Sequence, residues 1–346
     1  MQKLAIRHLS VPILCLGVAL AMALAKASPN ASAQTLLVVN QGDSTLSLID
    51  PVLGAQVATI AENTPGVHGH EIAVSADGRT AFMPIYGSSG VGLPGIDGHE
   101  MLVIDLPSRS IVDHIDFGHG VRPHQPVLDP ASGLIYVTTE LDKTITVVDP
   151  RTRKIIGTVP TGQPDSHMLA LSHDGRLGYT ANVRPGTVSV LDLKGRKTLA
   201  VIPVSKEVQR ISISTDDKLV FTADQSKPQL AVINTATRQV QTRVPLPGTG
   251  YGSAPTPDGR WLLVAIPSTD QVAVVDLNSM KVARNIDVPG APQEILVRPD
   301  GKVAYVSCIK TGKVAAIDLA QQNVEKWNVE KQFAAGKNAD GLGWAN

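Results

Sequence analysis

Cysteine is nearly absent from this sequence: of 346 residues, only Cys15 and Cys308 carry a thiol. Cys15 lies in an apolar run near the N-terminus, so a chain cut after that run keeps Cys308 alone and has no internal disulfide. No C-x-x-C-H occurs, which excludes covalent haem attachment. Net charge is also lacking, because 31 Lys and Arg balance 31 Asp and Glu. Such a chain has no electrostatic footprint for nucleic acid or for an anionic membrane surface. Long hydrophobic runs are missing as well. The one from Val11 to Ala25 falls short of the roughly 20 residues of a membrane span. Lys3 and Arg7 precede it, and small residues ending in Ala31-Ser32-Ala33 follow. A positive segment, an apolar segment and an A-x-A site predict a secretory signal peptide over 1–33 and a mature chain over 34–346. Cleavage removes Lys3, Arg7 and Lys26 and leaves 28 basic against 31 acidic residues, or −3. The expected location is the periplasm or the medium, with no membrane attachment after cleavage.

What the sequence does contain is a repeat. Between Ile211 and Gly250 lie four short runs rich in Val, Ile and Thr, at Ile211–Ser214, Leu219–Thr222, Leu230–Ile233 and Gln239–Val244. Asp, Ser, Asn and Pro punctuate them, as in strands joined by tight turns. The end of the third run recurs at Asp50, Asp105, Asp149, Asp192, Asn234, Asp276 and Asp318. The first step is 55 residues, and the next are 44, 43, 42, 42 and 42. Four strands per unit at a period near 42 predict an all-β fold, a seven-bladed β-propeller of four-stranded antiparallel blades. The opening unit lacks a first strand, and Asp340-Gly341-Leu342-Gly343-Trp344-Ala345-Asn346 reads as a first strand with nothing after it. The C-terminal strand is therefore expected to join the N-terminal blade and close the ring, removing the open edges. One domain of this kind is expected to be monomeric.

The second strands read Tyr136-Val137-Thr138-Thr139, Tyr179-Thr180-Ala181-Asn182, Phe221-Thr222-Ala223-Asp224 and Tyr305-Val306-Ser307-Cys308. They resemble the YVTN-type repeat of YncE-like exported propellers. Similar propellers include lactonase-family enzymes, the haem-d domain of nitrite reductase and the copper-carrying propeller of nitrous-oxide reductase. The resemblance implies the fold; function has to come from the site itself.

One registered position, at the opening of each innermost strand, is polar in all seven blades. It holds His70, His124, His167, Gln209, Tyr251, Gln293 and, in the closing blade, Asp340. A wet channel mouth accounts for Gln209, Tyr251 and Gln293, which would also line a ligand pocket. Three adjacent histidines next to Asp340 suit a divalent transition metal, zinc or copper in particular. His68 and His119 are possible further ligands, and binding should weaken below about pH 6.5, the unperturbed histidine value. The next residue in each blade includes Glu71, Arg210 and Glu294. These are candidates for general bases and a carboxylate clamp, or else for between-blade charge pairs. They should alternate to the other strand face but still reach a splayed funnel.

Blade two carries an insertion, Tyr86–Glu100, between its second and third strands. It lies on the His70 face and is read as a lid, with His99 available to a ligand. No helix follows its glycines, so it is not a phosphate cradle. Three functions remain open at this level. The first is binding of a metal ion or small molecule in the histidine-lined funnel. The second is a lactonase-like hydrolase or isomerase in the same funnel. The third is a scaffold that engages a protein partner through its loops.

Overall fold

The computed structural model describes residues 34–346, which form one compact unit. The segment 1–33, where the sequence leads one to expect a signal peptide, lies outside the described residues. Seven antiparallel sheets follow one another along the chain. Blade five shows the plan, with strands Val208–Ile213, Leu219–Asp224, Gln229–Asn234 and Gln239–Pro245 in sequential order. These bounds run a residue or more beyond the apolar runs at most ends, because pairing continues into the flanking polar residues.

Burial explains the sequence pattern of each strand. Second strands are covered on both faces by neighbouring blades: Ile135–Thr139 and Trp261–Ile266 are buried throughout. A strand buried on both faces reads as a continuous apolar run, which is why these segments stood out. Fourth strands lie at the rim and are mostly exposed. Each keeps one deeply buried side chain near its end, namely Ile60, Ile115, Val159, Ile202, Val244, Ile286 or Phe333. Asp side chains hold the turns. Asp174 accepts from Ser172 Oγ at 2.7 Å and from Arg176 N at 3.0 Å, and Asp50 accepts from Val52 N at 2.8 Å.

Closure occurs in the N-terminal blade. Ala339–Ala345 pairs antiparallel with Thr35–Asn40, setting Leu36 opposite Trp344 and Val38 opposite Leu342. The blade is thus built from both ends of the described chain, in the order closing strand, Thr35–Asn40, Thr45–Asp50, Ala55–Ala61. Blade two departs from the plan. Its inner strand is broken into His68–Gly69 and Ala73–Val74, and His70 lies in the gap. The insertion is also shorter than the sequence suggests. Pairing extends to Gly87 opposite Asp97, leaving 88–96 as the loop. A Cβ at Gly98 would collide with the Ile85 carbonyl oxygen, so glycine is needed for this close approach.

Candidate functional site at the channel mouth

Inner strands open with extra residues, and these aim the side chains. The register slips at His124-Gln125 in blade three, at His167 in blade four and at Arg210 in blade five. It slips again at Gln293-Glu294 in blade seven and Asp340-Gly341 in blade one. A β-bulge breaks strict alternation and re-aims side chains. Second-strand hydroxyls satisfy the freed backbone groups. Thr138 Oγ1 accepts from Gln125 N at 2.9 Å, Thr222 Oγ1 donates to the Arg210 carbonyl at 2.8 Å, and Ser307 Oγ accepts from Glu294 N at 3.0 Å. Arg210 sits in the bulge with φ 47°. A bulge, in place of the splayed strand start expected from the sequence, thus brings the guanidinium into the channel.

The three registered histidines meet. Ring centroids of His124 and His167 lie 3.6 Å apart, and those of His70 and His124 lie 5.1 Å apart. His68 stacks on His70 at 5.1 Å. Tyr86 packs among them, 4.8 Å from His70, 5.1 Å from His124 and 5.7 Å from His167. Burial drives the His70 and His124 imidazoles well below the ordinary histidine range, and neighbouring histidines add to the effect. Both are therefore neutral well into acid. His70 Nε2 and His124 Nδ1 are buried without a hydrogen-bond partner.

A charged cluster fills the channel beside them. Arg210, only 4% exposed, crosses from blade five to carboxylates on three other blades. Its nearest contacts are Glu71 Oε1 at 2.5 Å, Asp340 Oδ1 at 2.9 Å and Glu294 Oε2 at 3.4 Å. Burial pushes Glu71 well above the usual carboxylate range against the pull of Arg210, and Glu294 pushes it further. Burial opposes the charge on Arg210, but Glu71 and Asp340 together hold it protonated. Glu71 and Glu294 thus pair with Arg210 as charges, while Glu71 Oε1 and Arg210 Nε keep no hydrogen-bond partner, and a carboxyl with a raised pKa is a poor general base at neutral pH. Tyr251 lies under the Arg210 guanidinium at 5.0 Å and accepts from Gln209 Nε2 at 3.1 Å. Gln293 stands in the neighbouring blade, its carbonyl accepting from Gly252 N at 3.0 Å.

Asp340 reaches the mouth, but its oxygens bond to Arg210 and to Gln41 Nε2. Its Oδ2 is 3.9 Å from His70 Nδ1. His99 and His119 do not join the cluster. Both are exposed, His99 pairing with Asp116 at 3.1 Å and His119 with Asp142 at 2.9 Å. Cys308 is buried, its thiol pushed up to about 11 by burial, so it is an inert packing residue.

Sequence reasoning missed Gln41, Tyr86 and Glu140. Gln41 bonds to His70 Nδ1 at 3.2 Å as well as to Asp340. Tyr86 Oη donates to Glu140 Oε2 at 2.8 Å, and Glu140 Oε1 bonds to His167 Nδ1. The three share one register. Each follows the second-strand residue in the pairs Asn40–Thr45, Ile85–Glu100 and Thr139–Thr144. From there each reaches the histidine of the next blade. Applying the repeat register to the end of the second strand, as was done for the start of the first, would have found them.

The loop 88–96 is tied down over blades three and four. Arg122 donates to Asp97 Oδ1 at 2.5 Å, to the Leu93 carbonyl at 2.8 Å, and to Ser89 Oγ and the Gly90 carbonyl, both at 3.3 Å. Arg184 donates to the Gly92 carbonyl at 3.4 Å. Replacing 88–96 with a short turn is expected to leave the melting temperature within a few degrees, because no blade core depends on the loop. It should open His124 and His167, now 1% and 4% exposed, to histidine-modifying reagents. An unfolded variant, or unchanged modification rates, would show that the loop is no lid.

Two comparisons place this geometry among known proteins. The family described as Cytochrome D1 heme domain matches residues 130–261. Hydrazine synthase of Kuenenia stuttgartiensis is similar in fold, with a TM-score of 0.72 and 18% identity over 83% of this chain and 92% of that one. No curated protein matches the sequence. The matched family segment includes Glu140, His167, Arg210 and Tyr251 but ends short of His70 and His124 on the N-terminal side. The histidine mouth therefore straddles its boundary, and the chemistry of the mouth has to be argued from its own residues.

Proposed function

We propose that this propeller binds a transition-metal ion at its channel mouth, zinc or copper being the ions that imidazole suits. The supporting observation is the gathering of His68, His70, His124 and His167, with buried, partnerless nitrogens on His70 and His124. Neutral imidazole is the ligand form, and burial keeps it neutral here. Among the described residues no three His, Cys, Asp or Glu side chains stand ready to hold an ion at once. His124 and His167 lie ring against ring, so uptake requires one of them to turn.

The likeness to a haem domain does not carry haem to this mouth. His124, His167 and Tyr86 pack directly on one another, at most 4% exposed, and the loop 88–96 is latched by Arg122 and Arg184. No slot for a macrocycle lies between these rings.

Titration with zinc and with copper tests the reading. Wild type is expected to bind one of them, and His124→Ala to lose more than about 100-fold in affinity, beyond the loss of an outer hydrogen-bond partner. Affinity should hold from pH 8 through 6.5 and fall only at more acid pH, since the folded His70 and His124 take up protons well below 6.5. This corrects the onset near 6.5 expected for exposed imidazoles. Equal, negligible uptake by wild type and variant would remove the metal reading.

A further inference from the structure

We propose that the groove between blades three and four, on the face away from the histidine mouth, is a second binding site, and that it takes a small organic carboxylate with an apolar body. It shares no residue with the mouth and stands whether or not a metal binds there.

The groove lies at the far end of the inner strands. Pro123–Leu128 opens with His124 at the mouth and runs into Asp129, the first residue of the groove. The groove encloses about 360 Å³, within the roughly 300–1,000 Å³ of small-molecule sites. Leu134, Tyr136, Val147 and Leu193 give it an apolar wall, and Arg176, Lys194 and Arg196 give it cations. Two acids also line it, but both are engaged by their own turns. Asp129 accepts from Ala131 N at 3.0 Å and from Ser132 N at 3.1 Å, and Asp174 accepts from Ser172 Oγ and from Arg176 Nε, both at 2.7 Å. Lys194 Nζ and the Arg196 guanidinium have no hydrogen-bond or ion-pair partner among the described residues. Three cations against two carboxylates leave one positive charge in surplus. Arg196 is also seated. A Cβ at Gly157, in the rim strand Lys154–Pro160, would collide with Arg196 Nη1, so the guanidinium lies against bare backbone of blade three. A guanidinium with free donors matches the two oxygens of a carboxylate, and the wall beside it can cover a hydrocarbon group.

Between blades seven and one the repeat forms the same groove with a different lining. Val303, Tyr305 and Ala316 stand there in the places of Leu134, Tyr136 and Val147. Counted from Asp50 and Asp192, Val52 takes the place of Lys194 and Gly54 that of Arg196. The cations of that groove, Arg298 and Lys331, meet two acids, Asp318 and Glu330, and Arg298 is held by Asp300 at 2.8 and 2.6 Å. The fold therefore makes a groove of this kind between blades, and the turn 193–196 fits this one to an anion.

Titration of the protein with 3-phenylpropionate, followed by backbone amide NMR shifts, tests the proposal. Wild type should bind, with shifts concentrated at 129–136 and 193–196. 3-Phenylpropionamide, which lacks the charge, and acetate, which lacks the ring, should each bind more than about 10-fold more weakly. The double variant Lys194→Val, Arg196→Gly copies the turn of blade one. It should lose more than about 10-fold in affinity and melt as wild type does, because both side chains are exposed and glycine accepts the φ of 51° at Arg196. Absence of shifts at 129–136 and 193–196 in the millimolar range would overturn the proposal. So would amide or acetate binding as tightly as 3-phenylpropionate, or a double variant that binds as wild type does.

Discussion

A chain lacking Leu342–Asn346 is expected to aggregate, or to melt far below the full-length protein. The closing strand is the inner strand of the N-terminal blade, and its loss uncovers Thr35–Asn40, of which five residues are fully buried. Leu342 packs with Leu36, Val38, Tyr305 and Phe333, and Ala345 with Leu37, Val39 and Met83, so the cut opens the cores on both sides of the blade. Removing one buried leucine side chain costs about 2–5 kcal/mol, and here Trp344 and a whole ladder of backbone hydrogen bonds go as well. The total rivals the roughly 5–15 kcal/mol that holds a whole domain. The exposed strand is then an edge ready to pair with another chain. Thermal melting followed by circular dichroism, with sedimentation to detect association, measures both effects. A truncated chain that melts with the full-length protein would mean the ring does not depend on this strand.

The second large effect is expected at Arg210. Changing it to Met keeps the bulk but leaves Glu71, Asp340 and Glu294 without their cation in a buried channel. Breaking a buried ion pair from one side typically costs about 3–5 kcal/mol. The sign of its pH dependence follows from the carboxyls. Glu71 and Asp340 already have folded pKa values raised by burial, even with Arg210 beside them. Without Arg210 both rise further, and a folded value above the unfolded one means lost stability as pH climbs past the unfolded value near 4. Arg210→Met should therefore be weakest at pH 8 and recover much of its deficit at pH 5. Urea denaturation at both pH values checks this, and an equal deficit at each would show that the carboxylates are not what Arg210 neutralises.

Tyr86, Glu140 and Gln41 show where sequence reading stopped. Each was visible as a polar residue after an apolar strand, and each belongs to one register of the repeat. Their importance depends on reaching into the next blade, a contact between residues that the chain separates by up to 54 positions. The bulges work the same way. Period two sets Arg210 on the far strand face, from which only a splayed strand start would let it reach the funnel, but an extra residue in the strand cancels that alternation and sends it across the channel. Asp340 was placed correctly at the mouth, yet its oxygens belong to Arg210 and Gln41.

What the sequence by itself determined are the features that repeat or act locally: seven units, four strands each, Asp-held turns, a closing strand and histidines in register on three adjacent blades. Hydrophobic period and turn chemistry specify these within a few residues of chain. Only the tertiary structure decided what those histidines face. Ring closure brings the blades together around one axis, and burial there keeps the His70 and His124 imidazoles neutral and raises the Glu71 and Asp340 carboxyls. The pairing of Arg210 with three carboxylates, the packing of Tyr86 among His70, His124 and His167 and the latching of the loop 88–96 all arise from that crowding, which distance along the chain does not encode.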